Sequence, residues 1–260
     1  VKVRVLEARD RVGGRAHSEV LASGGAVDLG PAWIWPSFQP RVRSLVEGLG
    51  LETLTQLEDG DFVYETPQGD VRRIDYPKRY ADTVRVRGGL GAIARALAER
   101  LGRVDIRFGL AVRQLEFSDT TVSVTTDDGA CHSATHVIAA VPPAIISTWD
   151  VSPTLDNRLA KALLRWPTWM AAHAKFAAVY DRPFWRSEGL SGSAVSQRGP
   201  LMEIVDHSDD ALGHFALFGF FGLSAQQRSR TAPGDLEEAA LAQLKRMSGS
   251  DAARPVQTYL

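Results

Sequence analysis

The sequence is short of cysteine: among 260 residues, Cys131 stands alone. A single thiol excludes an intramolecular disulfide and a cysteine metal cluster, and it fits a reducing compartment. Lysine is scarce too, confined to Lys2, Lys78, Lys161, Lys175 and Lys245, so arginine carries the basic side. Those arginines are scattered, and the formal net charge is −1. That balance excludes the field expected of a partner for nucleic acid or an acidic membrane surface. No apolar run approaches the roughly 18 residues of a membrane span, and no leader pattern opens the chain, so a cytoplasmic protein is expected. The six histidines, His17, His132, His136, His173, His207 and His214, show no ligand spacing, and no metal is assigned. No Gly-x-Ser-x-Gly elbow is present. The chain opens at Val1, not methionine, which suggests a fragment, a processed product or a misassigned start.

What is present suits a globular chain. Hydrophobic residues make up 44% and charged residues 23%, enough apolar material for a core at this length. Alternation predicts a strand over 3–6, then a charged loop over 8–15. A short strand is expected at 27–29 and a helix over 41–49 with Gly50 as its stop. Residues 62–64 and 71–74 flank Pro67-Gln68-Gly69-Asp70 as a hairpin. Leu90, Ile93, Ala94, Leu97 and Leu101 share one face of a helix that Gly102 ends. Strands are expected over 104–108, 112–117, 122–126 and 136–141, the last ended by Pro142-Pro143. A helix over 155–164, strands over 171–180 and 215–221, a helix over 234–247 and a strand over 256–260 complete the reading. Helices and strands intermix, so the class is α/β or α+β.

One string carries most of the chemistry: Val5-Leu6-Glu7-Ala8-Arg9-Asp10-Arg11-Val12-Gly13-Gly14-Arg15. A strand ends in an acid, the position from which dinucleotide-binding βαβ units bond a ribose. Two glycines let backbone N–H groups approach a phosphate, and Arg15 can add a forked, charge-assisted contact. A strand, a charged turn and a ligand-free Gly-Gly loop would use the same residues.

The whole string resembles the second-strand signature of the flavin-containing amine oxidases, the monoamine oxidase family. Further blocks follow in family order. Asp28-Leu29-Gly30-Pro31-Ala32-Trp33-Ile34 resembles the segment beside the isoalloxazine ring. Gly88-Gly89-Leu90-Gly91 is similar to the turn that opens the helix returning to the FAD domain. Val112 stands where the family contacts adenine, and Ala139-Ala140-Val141-Pro142-Pro143 resembles the strand leaving the FAD domain. Residues 175–186 resemble the family's Lys-(x)4-Tyr-x-x-Pro-Phe-Trp segment.

The resemblance implies an α/β fold: a Rossmann-like, glutathione-reductase-type FAD domain with a mixed-sheet α+β substrate domain, each incomplete. Residues 1–57 and 85–143 would form the FAD part, and 58–84 and 144–260 the substrate part. It implies non-covalent FAD held by Glu7, Ala8, Arg9, Gly13, Gly14, Arg15, Gly30, Pro31, Ala32, Trp33, Ile34, Val112, Ala140 and Pro142. Lys175 would be catalytic, holding a water against the flavin where oxygen reacts. By position alone, a lysine in an apolar strand is more often an edge gatekeeper or a snorkelling side chain. The partners implied are a small-molecule amine and oxygen, with a homo-oligomer or a completing chain as further partners. The family's glycine-rich first turn and its C-terminal segment lie outside these 260 residues. Between Tyr64 and Arg87 only a short link over 75–86 replaces a long helical section. The alternative to an enzyme is a non-catalytic relative, or one half of a split flavoenzyme.

Overall fold

The computed structural model describes residues 2–75, 78, 80, 82–102 and 104–260. Backbone contacts divide the chain into two units: Val1–Gly14 with Arg100–Ala171, and Arg15–Glu99 with Ala172–Leu260.

The first unit pairs Arg4–Leu6 in parallel with Asp105–Arg107. The Arg4 guanidinium meets the Asp105 carboxylate across that pair at 2.7 Å. A four-stranded sheet follows, in the order Cys131–Ala134, Val122–Thr126, Val112–Phe117, Asp150–Ser152. Its hairpin turns where Asp128 accepts from the Thr126 hydroxyl and the Ala130 N–H, an Asx-type turn that Gly129 completes at φ +82°. Leu115, Val122 and Val124 form a small core, against which Leu6, Val112, Trp149 and Val151 pack. The helix Asn157–Arg165 is capped by Asp156, whose side chain accepts from Arg158 N–H at 2.8 Å.

The strand expected over 136–141 does not form. The strand in this region is Cys131–Ala134, and Ile138 is 91% exposed. An apolar run becomes a strand only where a neighbour supplies ladder hydrogen bonds, and among the described residues none lies beside this one.

The second unit is built on a mixed seven-stranded sheet. Its order is Gln257–Tyr259, Lys175–Tyr180, Phe215–Phe221, Leu201–Asp206, Leu190–Ser196, Asp61–Glu65, Val71–Ile74. Every pair is antiparallel except Leu190–Ser196 with Asp61–Glu65. Side chains alternate between two apolar faces. Phe176, Ala178, Tyr180 and Leu217 meet Leu236, Ala240, Leu244 and Met247 of the helix Pro233–Ser248 on one face. Ala177, Val179, Val205, Ala216 and Phe218 meet Val27, Ala32, Trp33 and Tyr80 on the other. Two small antiparallel pairs flank this layer: Ser18–Val20 with Ala26–Asp28, and Thr53–Thr55 with Val84–Val86. The helix Pro40–Leu49 ends at Gly50, left-handed at φ +72° as its stop requires.

The chain is thus α/β with mixed sheets. Within the short link at 75–86, Tyr76, Pro77, Arg79 and Ala81 lie outside the described residues. Among the described residues no helix is long and apolar enough to cross a membrane.

Candidate functional site

The sequence-derived site residues divide between the units. Glu7, Ala8, Arg9, Gly13, Gly14, Val112, Ala140 and Pro142 belong to the first; Arg15, Gly30, Pro31, Ala32, Trp33, Ile34 and Lys175 belong to the second.

In the first unit the loop after Arg4–Leu6 is braced at both ends. Glu7 N–H donates to the Arg107 carbonyl at 2.9 Å, and its carbonyl accepts from Leu110 N–H at 3.0 Å. Gly109 N–H reaches the Arg9 carbonyl, so Glu7 to Arg9 lie against the stretch that leads into Val112. The Glu7 carboxylate accepts from Arg9 N–H at 2.9 Å through Oε1. Gly13 and Gly14 both take positive φ, +95° and +52°, and a Cβ on Gly14 would stand in open space. Ala140 is exposed and Pro142 half-buried, outside any strand.

In the second unit the segment after Ala26–Asp28 is held closely. Gly30 N–H donates to the His17 carbonyl at 2.9 Å, and a Cβ there would stand 2.1 Å from the Arg15 carbonyl oxygen. Only glycine fits that approach. Pro31 is exposed, Ala32 and Ile34 are buried, and Ile34 exchanges backbone hydrogen bonds with Val84. Trp33 stacks on Tyr80, with ring centroids 4.9 Å apart and planes at 15°. Its ring also meets Phe218 at 5.3 Å and Phe220 at 6.2 Å.

Lys175 opens its strand on the same face. Its Nζ donates to the carbonyls of Asp28 at 3.1 Å and Gly30 at 2.5 Å, and lies over the rings of Phe218 at 4.4 Å and Phe220 at 5.1 Å. An ammonium has three N–H donors, so one remains after the two carbonyls are served. Burial pushes Lys175 down to about 8, against the opposing pull of the Asp28 carboxylate. Phe220 stands in register with Lys175 on one neighbouring strand and with Glu203 on the other. Glu203 accepts from the Tyr80 hydroxyl.

Beneath Lys175 lies a buried polar cluster that the sequence reading missed. Asp28 Oδ1 accepts from Ser18 Oγ at 2.5 Å and from Leu90 N–H at 2.8 Å, and Ser18 Oγ accepts from Gly91 N–H at 2.9 Å. The Gly88–Gly91 turn therefore spends these N–H groups on its own protein rather than on a phosphate. His207 Nε2 stands 3.3 Å from Asp28 N–H and 3.4 Å from Asp28 Oδ2. Burial, with the Arg85 guanidinium nearby, pushes His207 down to about 4, so its imidazole is neutral. The Arg85 guanidinium donates to the Ser208 carbonyl. The one sequence sign of this cluster is polar Asp206-His207-Ser208 at the end of the strand Leu201–Asp206.

Known proteins resemble this chain in sequence and in fold. The family model for flavin-containing amine oxidoreductases matches residues 1–82 and 67–260. The chain belongs to the flavin-containing amine oxidoreductase family. This amine oxidase relative is 34% identical over 157 residues to a putative flavin-containing monoamine oxidase of Mycobacterium tuberculosis, covering 60% of this chain and 34% of that protein. With the putrescine oxidase of Kocuria rosea it shares 24% identity over 375 positions, covering 99% of this chain and 76% of that protein. Its fold is that of the cyclohexylamine oxidase from Brevibacterium oxydans, with a TM-score of 0.85 at 19% identity over 99% of this chain and 78% of that one. The chain spans about a third of the length of the curated monoamine oxidases it matches. The putrescine oxidase alignment runs to 375 positions against 260 residues here, so at least 115 positions of that relative face gaps. The two family-model matches overlap over 67–82, which takes in part of the short link at 75–86.

Proposed function

We propose that this amine oxidase family member takes part in FAD-dependent oxidation of an amine at a C–N bond, with oxygen restoring the flavin. FAD supplies the redox chemistry when bound, taking a hydride equivalent from the amine. The observation that carries the reading is the conjunction of Lys175 with Gly30. A half-buried ammonium, clamped on two carbonyls and two aromatic faces, keeps one N–H for a group in the site. That donor would hold a water and steady negative charge where reduced flavin meets oxygen.

The residues present suit a non-covalent FAD. Glu7 Oε2 would accept from the ribose hydroxyls, since Oε1 already holds Arg9 N–H. Gly13 and Gly14, with open space at Gly14, would admit the diphosphate to the backbone, joined by Ala8, Arg9 and Arg15. Pro31, Ala32, Trp33 and Ile34 would line the ring, while Val112, Ala140 and Pro142 would serve the adenine end. By this assignment, residues 1–57 and 85–143 act for the cofactor, and 58–84 and 144–260 for the substrate. The amine would lie along the face of Trp33, Tyr80 and Phe220, and the imine released would hydrolyse in water. We place the protein in the cytoplasm, consistent with its single cysteine.

A second reading, half of a split flavoenzyme or a non-catalytic relative, is favoured by the internal shortening. At least 115 positions of the putrescine oxidase relative face gaps here, and the two family-model matches overlap over 67–82.

A visible spectrum of the purified chain, before and after FAD is added during refolding, separates the two. Close to one equivalent of bound flavin, released on denaturation, supports the oxidase. In that case Lys175→Met should slow reoxidation by oxygen at least tenfold while substrate reduction of the flavin persists. A chain that stays colourless with added FAD overturns it.

A further inference from the structure

Asp28 spends all its polar atoms but Oδ2 on four different elements. Its N–H points to His207 Nε2, its carbonyl accepts from Lys175, and its Oδ1 accepts from Ser18 and from Leu90 N–H. The residue is 1% exposed. Lys175, by contrast, has no carboxylate in contact among the described residues; its partners are two carbonyls and two ring faces.

A buried ammonium needs a negative charge close by to remain protonated. A direct ion pair would meet that need but would claim the last N–H. Asp28 resolves the conflict by geometry. Its carbonyl touches the ammonium, so its carboxylate is near, yet Ser18 and Leu90 N–H hold Oδ1 on the side of the Gly88–Gly91 turn. His207 flanks Oδ2 and, being neutral, adds no third cation beside Lys175 and Arg85.

We propose that Asp28 is a positioning residue for Lys175, holding a fixed negative charge beside the ammonium while Ser18 keeps that charge from closing on it. The proposal deepens the oxidase reading and rests on its assignment of Lys175. The charged and titratable groups that interact with the ammonium are Asp28 from the strand Ala26–Asp28 and His207 after Leu201–Asp206, with Arg85 from Val84–Val86 acting on His207; Phe215–Phe221 offers Phe218 and Phe220.

The test needs no flavin. With only five lysines, the chain labelled with 13C at lysine Cε gives a simple spectrum, and Lys175→Met assigns the signal. Titrated by NMR, Lys175 should turn over near pH 8, below the ordinary 10.5 of a lysine. In Asp28→Asn, which keeps the shape but removes the charge, the midpoint should fall by about one pH unit, tenfold in proton affinity. In Ser18→Ala, which releases the carboxylate, it should rise instead as Asp28 closes on the ammonium. A merely structural role would not move the midpoint in opposite directions. Unchanged midpoints in folded Asp28→Asn, or Lys175 titrating at the ordinary 10.5 in the unaltered chain, overturn the proposal. Should Asp28→Asn not fold, Ser18→Ala decides: no upward shift overturns it. Absence of bound flavin would overturn the oxidase reading and leave these midpoints untouched.

Discussion

The indole N–H of Trp33 donates to the Gln56 side-chain oxygen at 2.9 Å. The Gln56 amide in turn donates to the carbonyls of Asp206 at 2.6 Å and Leu57 at 3.2 Å. Gln56 is buried, so its donors and its acceptor are all met by protein. Gln56→Leu leaves a buried carbonyl and an indole N–H without partners. It should cost about 1–3 kcal/mol in urea unfolding and shift Trp33 emission, assigned against Trp33→Phe. Unchanged stability and emission would show that water replaces the amide.

Gly30→Ala should be far more damaging than its size suggests. The added Cβ would stand 2.1 Å from the Arg15 carbonyl oxygen, a backbone atom with no rotamer to yield. A loss on the order of 3 kcal/mol or more is expected. Gly48→Ala, inside the helix Pro40–Leu49 with nothing near its Cβ, is the control and should gain up to about 1 kcal/mol. Equal urea midpoints for the two variants would contradict the close packing at Gly30.

Lys175 should make the fold more stable as the solution turns alkaline. Its folded value of about 8 lies below the ordinary 10.5. Between those pH values the unfolded chain holds the proton that the folded site has released, so stability rises with pH. The gain is on the order of 3 kcal/mol across that window. Unfolding curves at pH 7.5 and 10 should show this rise in the unaltered chain relative to Lys175→Met. Parallel behaviour of the two proteins would mean the ammonium is not desolvated.

His207 should act in the acid range with the same sign. Its folded value of about 4 lies below the ordinary 6.5, so the unfolded chain takes up a proton first as pH falls. Stability contributed by the neutral imidazole is complete above pH 6.5 and declines through that interval to pH 4, by about 3 kcal/mol in all. His207→Asn should flatten the decline measured by thermal melts between those values. A decline of equal depth in both proteins would place the acid sensitivity elsewhere.

Much of the fold was legible because period and punctuation were unambiguous. Strands at 112–117, 122–126 and 215–221 appear with the bounds that alternation and apolar runs predict. The helix ending at Gly50 does so because glycine alone accepts the left-handed stop cheaply. Leu190–Ser196 escaped notice because small residues, Ser191, Gly192, Ser193 and Ala194, carry no hydrophobic period even though the strand is central to the sheet. Residues 136–141 failed in the other sense, having the composition of a strand without a neighbour to bond among the described residues.

By itself the sequence determined the lineage, through the string Glu7-Ala8-Arg9-Asp10-Arg11-Val12-Gly13-Gly14-Arg15, and it marked Lys175 as an odd charge in an apolar strand. Local propensities and spacing depend on residues a few positions apart, and those survive in a linear string. Only the tertiary structure decided what Lys175 touches. Its partners at Asp28 and Gly30 lie 147 and 145 positions away, and Asp28 in turn meets His207 at a separation of 179. Hydrogen bonds at such separations are set by sheet register and burial, which the whole fold must supply at once.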